Sequence, residues 1–140
     1  MEAAVIYFSK TGHSKKIARA VARELNIRCE DINQNPDLSG TDLLFVVGGI
    51  YGGRSDPKML DFIEGVDNNK VKKAALITSC CSNKSPQAEV RKVLGMNKVE
   101  VIPDECICRG SFLFVRVGHP NQSDIDKAVA FAKKTLAAVS

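Results

Sequence analysis

The run Ala3-Ala4-Val5-Ile6-Tyr7-Phe8 leads without a spacer into Ser9-Lys10-Thr11-Gly12-His13-Ser14, and that turn opens an amphipathic helix. An unbroken apolar run of strand length, lacking polar alternation, marks a strand covered on both faces. The helix after it places Ile17, Ala18, Val21, Ala22 and Leu25 on one side, with Lys15, Lys16, Arg19 and Arg23 largely on the other. Three hydroxyls (Ser9, Thr11, Ser14) and Gly12 gather at the helix start. Backbone N–H groups are unpaired there and the macrodipole favours negative charge. An ordinary helix cap needs one such side chain, so this turn is predicted to cradle a phosphate, with Lys10 and His13 as assisting cations.

Strand-type and helix-type patterns then alternate to the end of the chain, which predicts a parallel sheet with helices on both faces. Strands are expected over 3–8, 27–32, 43–47 and 74–78, with a split or extended last strand region over 99–102 and around 106–117. Residues 27–32 carry Arg28, Glu30 and Asp31, as an edge strand would. The connection 33–41 has room for a turn of helix at most. Asp56-Pro57 and Ser85-Pro86 each read as a cap followed by proline at the first helical position, and Ser123 as the cap of the last helix. The fold class is therefore α/β: one domain over residues 1–140, a three-layer, doubly wound, five-stranded parallel sheet of order 2-1-3-4-5. Such sheets bind ligands beyond the strand C-termini, at the switch point between strands 1 and 3. The loops 9–14, 48–55 and 79–84 follow strands 1, 3 and 4 and converge there. In the second, Ile50, Tyr51, Gly52 and Gly53 offer one aromatic ring for stacking on a planar ligand. In the third, Thr78, Ser79, Cys80, Cys81 and Ser82 offer main-chain groups to a heteroaromatic edge.

Other chemistries of this architecture lack their residues. A phosphotransfer receiver needs paired acids after strand 1 and an aspartate ending strand 3, where Phe8-Ser9 and Val47-Gly48 stand. A small phosphatase needs a cysteine opening the first loop and an arginine closing it, and Ser9 and Ser14 hold those places. Neither G-x-x-x-x-G-K-[ST], G-x-S-x-G nor a G-x-G-x-x-G after strand 1 occurs. Five cysteines without paired spacing argue against zinc and for reduced thiols. Cys106 and Cys108 share a strand face and are expected to pack, whereas Cys29 lies on the edge strand. His119-Pro120 reads as a turn before the last helix. The net charge of +4 is spread along the chain without aromatic interleaving, which argues against nucleic acid. No apolar run reaches membrane-spanning length and no export signal is visible, so a cytoplasmic protein is expected.

The segment Val5-Ile6-Tyr7-Phe8-Ser9-Lys10-Thr11-Gly12-His13-Ser14, with Ala18 and Val21 beyond it, resembles the flavodoxin signature. The tail, from Cys108-Arg109-Gly110-Ser111-Phe112 through Gly118-His119-Pro120-Asn121, is similar to a short-chain branch of that family in anaerobes and archaea. The resemblance covers the whole chain. It implies FMN as cofactor, with its phosphate in the first loop and its isoalloxazine ring between the second and third. It further implies one-electron transfer between redox partner proteins, a reductase and an acceptor, by a monomer. Two alternatives are an FMN-dependent oxidoreductase of the quinone or nitro-compound reductase type and a flavin-free interaction module. This chain departs from the family in having Ser14 where threonine is usual, no tryptophan, and a basic balance. Lys10, Arg54, Lys58 and Lys84 fall in or near the three loops. Cations there favour reduced, anionic flavin, about 1.4 kcal/mol moving a one-electron couple by roughly 60 mV. A less negative lower potential than acidic flavodoxins show is the expectation.

Overall fold

A computed structural model of the chain describes residues 1–10, 12–51, 54–80, 87–109 and 122–139. The first apolar run forms β1 (Ala3–Tyr7), and the helix after it is α1 (His13–Leu25). β1 pairs in parallel with β2 (Arg28–Asp31) on one side and with β3 (Thr41–Tyr51) on the other. A two-residue strand, β4 (Arg54–Ser55), folds back antiparallel on the end of β3 and leads into α2 (Pro57–Glu64). Next come β5 (Val71–Cys80), α3 (Ala88–Met96), β6 (Glu100–Arg109) and α4 (Gln122–Val139). The sheet order is β2-β1-β3-β5-β6, the expected 2-1-3-4-5 once the short return strand β4 is set aside.

Each strand sends alternate side chains to opposite faces. Ala4, Ile6, Leu44, Val46, Ala74 and Leu76 pack with Met59 and Ile63 of α2 and Val90 and Leu94 of α3. Val5, Tyr7, Leu43, Phe45, Val47, Ala75 and Ile77 pack with Ile17, Ala18 and Val21 of α1 and Ala128 and Ala132 of α4. Both helix pairs thus close over one sheet, and the stretch 43–47 of β3 is fully buried. Cys106 and Cys108 pack on the second face as expected, their Sγ atoms 3.9 Å apart. Their mutual hydrogen bond and burial push the Cys108 thiol well above its ordinary range.

Several boundaries differ from the sequence reading, each because pairing or packing outweighs local composition. Gly48 to Tyr51 continue β3 instead of opening a loop, because Gly48 and Gly49 pair with Thr78 and Ser79. Ser79 and Cys80 likewise belong to β5, opposite Cys108 and Arg109. Of the two forms expected for the last strand, the extended one is found over Glu100–Arg109, and 110–117 lie outside the described residues. Between Ala74↔Val101 and Leu76↔Glu105 this strand gains two residues on its partner, an irregularity that absorbs Pro103, which has no N–H to give. α3 begins at Ala88 after Gln87, so the Ser85-Pro86 signal falls early, and those two residues lie outside the described ones, as do Lys84 and His119-Pro120. Ser123 sits inside α4, which starts at Gln122. Asp56 does cap α2, its Oδ1 accepting from Lys58 N–H at 2.8 Å. Among the described residues, no helix is long and apolar enough to cross a membrane.

Phe45 tests this two-sided core. Its ring is buried at the centre of β3, so Phe45→Ala should lower unfolding free energy by about 3–5 kcal/mol. Met96→Ala, at a residue 70 % exposed, should change it by less than about 0.5 kcal/mol. Urea unfolding of both variants measures the difference.

Candidate functional site

Parallel register brings the strand ends together. Tyr7 lies opposite Val47, and Gly49 opposite Ser79. The first loop, the end of β3 and the end of β5 therefore share one edge of the sheet. Of the predicted site residues, Ser9, Lys10, Gly12, His13, Ser14, Ile50, Tyr51, Thr78, Ser79 and Cys80 are placed there. Thr11, Gly52, Gly53, Cys81 and Ser82 lie outside the described residues.

Gly12 caps α1 in the left-handed region at φ +91°, where a side chain would be strained, and no side chain caps the helix. Its N–H donates to Ser9 Oγ at 2.8 Å, which turns the loop back on itself. The first intrahelical bond runs from Lys16 N–H to Gly12 O at 3.1 Å. The N–H groups of His13, Ser14 and Lys15 thus precede any intrahelical acceptor. No acid stands in that first turn. Ser14 is 1 % exposed, and among the described residues its hydroxyl has no hydrogen-bond partner. A buried hydroxyl without a partner costs about 1–3 kcal/mol, a cost that folding does not recover. An anion at the helix start, taking that hydroxyl and the N–H groups of Ser14 and Lys15, would recover it. The donor set fits a phosphate.

Two cations at the edge are paired with acids. Lys10 Nζ stands 3.2 Å from Asp56 Oδ2, so the carboxylate that caps α2 also holds the first loop. Arg54 Nη2 meets Glu89 Oε2 at 3.0 Å, and Glu89 Oε1 accepts from Ser55 N–H at 3.0 Å. Those contacts fix β4, the return from the second loop, to the start of α3. Lys58 lies with its Nζ 5.7 Å from the centre of the Phe8 ring. Two of the four cations that the sequence gathers here are therefore neutralised by acids whose placement it did not show.

Below the edge, Ile50 and Ser79 are buried and Thr78 is fully so. The Thr78 hydroxyl donates to Glu105 Oε2. Glu105 Oε2 also accepts from Gln87 N–H at 2.8 Å, and Glu105 Oε1 from Arg91 Nη2 at 3.1 Å. Gln87 Nε2 donates to Val46 O at 3.2 Å and Ile77 O at 3.0 Å, tying the ends of β3 and β5. A Cβ on Gly48 would lie 2.8 Å from Gln87 Oε1, so glycine at 48 makes room for this amide. Sequence reasoning missed Glu105, Gln87 and Arg91. The available signal was a charged residue in an apolar strand pattern, two residues after Pro103.

The Ser55 N–H and the Arg54 guanidinium hold the Glu89 carboxyl below the usual glutamate range. A lowered folded value means that the stabilisation is present above the unfolded-state pKa and lost as pH falls through the folded one. Relative to Glu89→Gln, the wild-type protein should lose stability as pH drops from about 5 to about 3. Thermal midpoints of both proteins across that range, with an NMR titration of Glu89, measure this.

Comparison with known proteins agrees with the geometry. A family model described as a flavodoxin domain matches residues 4–118. An uncharacterized protein of Methanocaldococcus jannaschii is 30% identical over 153 aligned positions, covering 97% of this chain and 99% of that one. A short-chain flavodoxin associated with a PDU bacterial microcompartment superposes with TM-score 0.72 at 19% identity over 100% of both chains. A Fusobacterium nucleatum flavodoxin variant bound to flavin mononucleotide gives TM-score 0.69 at 12% identity, over 96% of each chain. With most of its length under the family model, and the parallel sheet in the expected order, this chain belongs to the flavodoxin domain family.

Proposed function

We propose that the chain binds FMN without a covalent bond and passes single electrons between partner proteins. The observation that carries this reading is the buried, partnerless Ser14 hydroxyl in the first turn of a helix capped by Gly12. That pairing of a buried donor with the N–H groups of Ser14 and Lys15, and no first-turn acid, suits the FMN phosphate. The likeness to a flavodoxin that holds flavin mononucleotide supports the choice of cofactor. The flavin supplies the redox chemistry, and the protein supplies binding, orientation and electrostatics. Ser9, Gly12, His13 and Ser14 hold the phosphate end. The edge formed by Ile50, Tyr51, Ser79 and Cys80 holds the ring. Lys10, paired with Asp56, keeps the first loop against α2.

The partners present carboxylates. Lys15, Lys16, Arg19 and Arg23 are exposed along α1 and line a groove of about 520 Å³ that starts at Gly12. Cations in that position steer acidic protein surfaces towards the site. Electron transfer to an acidic ferredoxin should therefore slow as salt rises from about 0.01 to 0.15 M. A rate that rises with salt in stopped-flow measurements would contradict it.

Ser14→Ala separates function from stability. Losing a hydroxyl without a partner should leave the thermal midpoint of the apoprotein unchanged or slightly raised. Losing a charge-assisted bond to phosphate should weaken FMN binding by about 10- to 100-fold, with riboflavin binding unaffected. A visible spectrum of the wild-type protein after gel filtration with FMN is the direct test. Bands that do not persist, or equal FMN affinity in the variant, overturn the assignment. NADPH oxidation without an added reductase would place the chain among FMN enzymes instead.

A further inference from the structure

Glu105 is a carboxylate in the core layer, its side chain 8 % exposed, and nothing in the flavin reading uses it. The two extra residues in β6 set it opposite Leu76, on the face that α3 covers. Arg91 holds the irregular stretch in place: its Nη1 donates to Ile102 O at 2.9 Å while its Nη2 donates to Glu105. The opposite oxygen, Oε2, receives two donors from different parts of the chain. One is the Thr78 hydroxyl and the other the Gln87 N–H. The chain between Thr78 and Gln87 is 79–86, which contains the third of the three loops that follow the strands. A single oxygen atom thus ties the residue before that span to the residue after it. Gln87 extends the tie through its side chain to Val46 O, on the strand that leads to the second loop.

We propose that Glu105 is a positioning residue of the flavin site. Resting on the FMN reading above, it holds Thr78 and Gln87 at a fixed separation and, through Gln87, ties the end of β5 to β3, so the ring-facing edge at Ile50 and Ser79 is formed before the ligand arrives. A carboxylate suits the task because it only accepts, and three donors converge on its two oxygens. An amide at 105 would turn one of those acceptors into a donor facing donors. A site held in its binding shape loses less freedom on binding, and affinity gains accordingly.

The same logic gives the test. Glu105→Gln and Thr78→Val are compared with the wild-type chain by amide hydrogen exchange of the apoprotein and by titration with FMN, riboflavin and inorganic phosphate. In both variants, exchange at Gln87 N–H should accelerate about tenfold or more, while Val5 and Ile6 N–H in β1 keep their rates. FMN and riboflavin affinities should fall by the same factor, about tenfold. Their ratio and the affinity for inorganic phosphate should not change, because the first loop is untouched. Should Glu105→Gln fail to fold, Thr78→Val, which removes only the donor before the span, decides the question. Unchanged Gln87 exchange overturns the proposal. So does a loss of affinity accompanied by equal acceleration in β1, which marks general destabilisation, and so does a loss confined to FMN. Failure of the wild-type chain to bind either flavin overturns the FMN reading itself, while the exchange rates still show whether Glu105 ties the span.

Discussion

Burial of β3 on both faces is the constraint from which the remaining architecture follows. Residues 43–47 of that strand expose nothing to solvent, and each such side chain contributes about 1.5–3 kcal/mol by leaving water. A strand in that position needs a hydrogen-bonded neighbour on each edge and a helix layer above each face. β1 and β5 supply the edges, α2 and α3 one layer, α1 and α4 the other. Parallel pairing then sends each strand back by a crossover, through α1, α2 and α3 and, between β2 and β3, through a single 3-10 turn at Ile32–Gln34, so the strand C-termini are left together at one edge. The candidate site is a consequence of how the core is closed.

At that edge the protein treats its buried polar groups in two opposite ways. Thr78, the main-chain and side-chain N–H groups of Gln87, Arg91 and Glu105 satisfy one another and reach into both strand ends. Breaking any one of those bonds strands a partner in a poorly solvated place, so the network rigidifies the edge. Ser14 is the converse: equally buried, with nothing for its hydroxyl to bond. A protein selected for stability alone would hold alanine there. Ser55 Oγ and Gln87 Oε1 are likewise without partners among the described residues, but Ser14 is the one of the three in the first turn of a helix, where an anion could complete its bonds.

Sequence periodicity revealed the sheet order and the convergence of three loops because both are set by apolar runs and by helix-forming stretches, which are local. The phosphate turn was legible for the same reason, since Ser9, Gly12 and Ser14 act within six residues of one another. Boundaries failed where a distant group decides the conformation. Gly48 and Gly49 look like loop residues, yet Gly48 is a strand residue that must lack a side chain because Gln87, thirty-nine positions later in the chain, fills that space. Glu105 is the sharper case. Its meaning depends on a two-residue irregularity that puts it beneath the start of α3, and neither the irregularity nor the register follows from local composition.

Charge shows the same limit of local reading. The sequence places four cations in or near the loops, which argues for a field that favours reduced flavin. In the folded chain Lys10 faces Asp56 and Arg54 faces Glu89, at 3.2 and 3.0 Å. Paired charges present little net field beyond a few ångströms, and what remains at an exposed edge is screened by salt. Counting cations therefore overstates their effect on a cofactor bound there. Further positive charge lies exposed along α1 at Lys15, Lys16, Arg19 and Arg23, the last of them 3.7 Å from Glu24. Lys10 and Arg54 therefore add less to the field at the edge than their number suggests, whereas Lys58 stands over the Phe8 ring and not beside an acid.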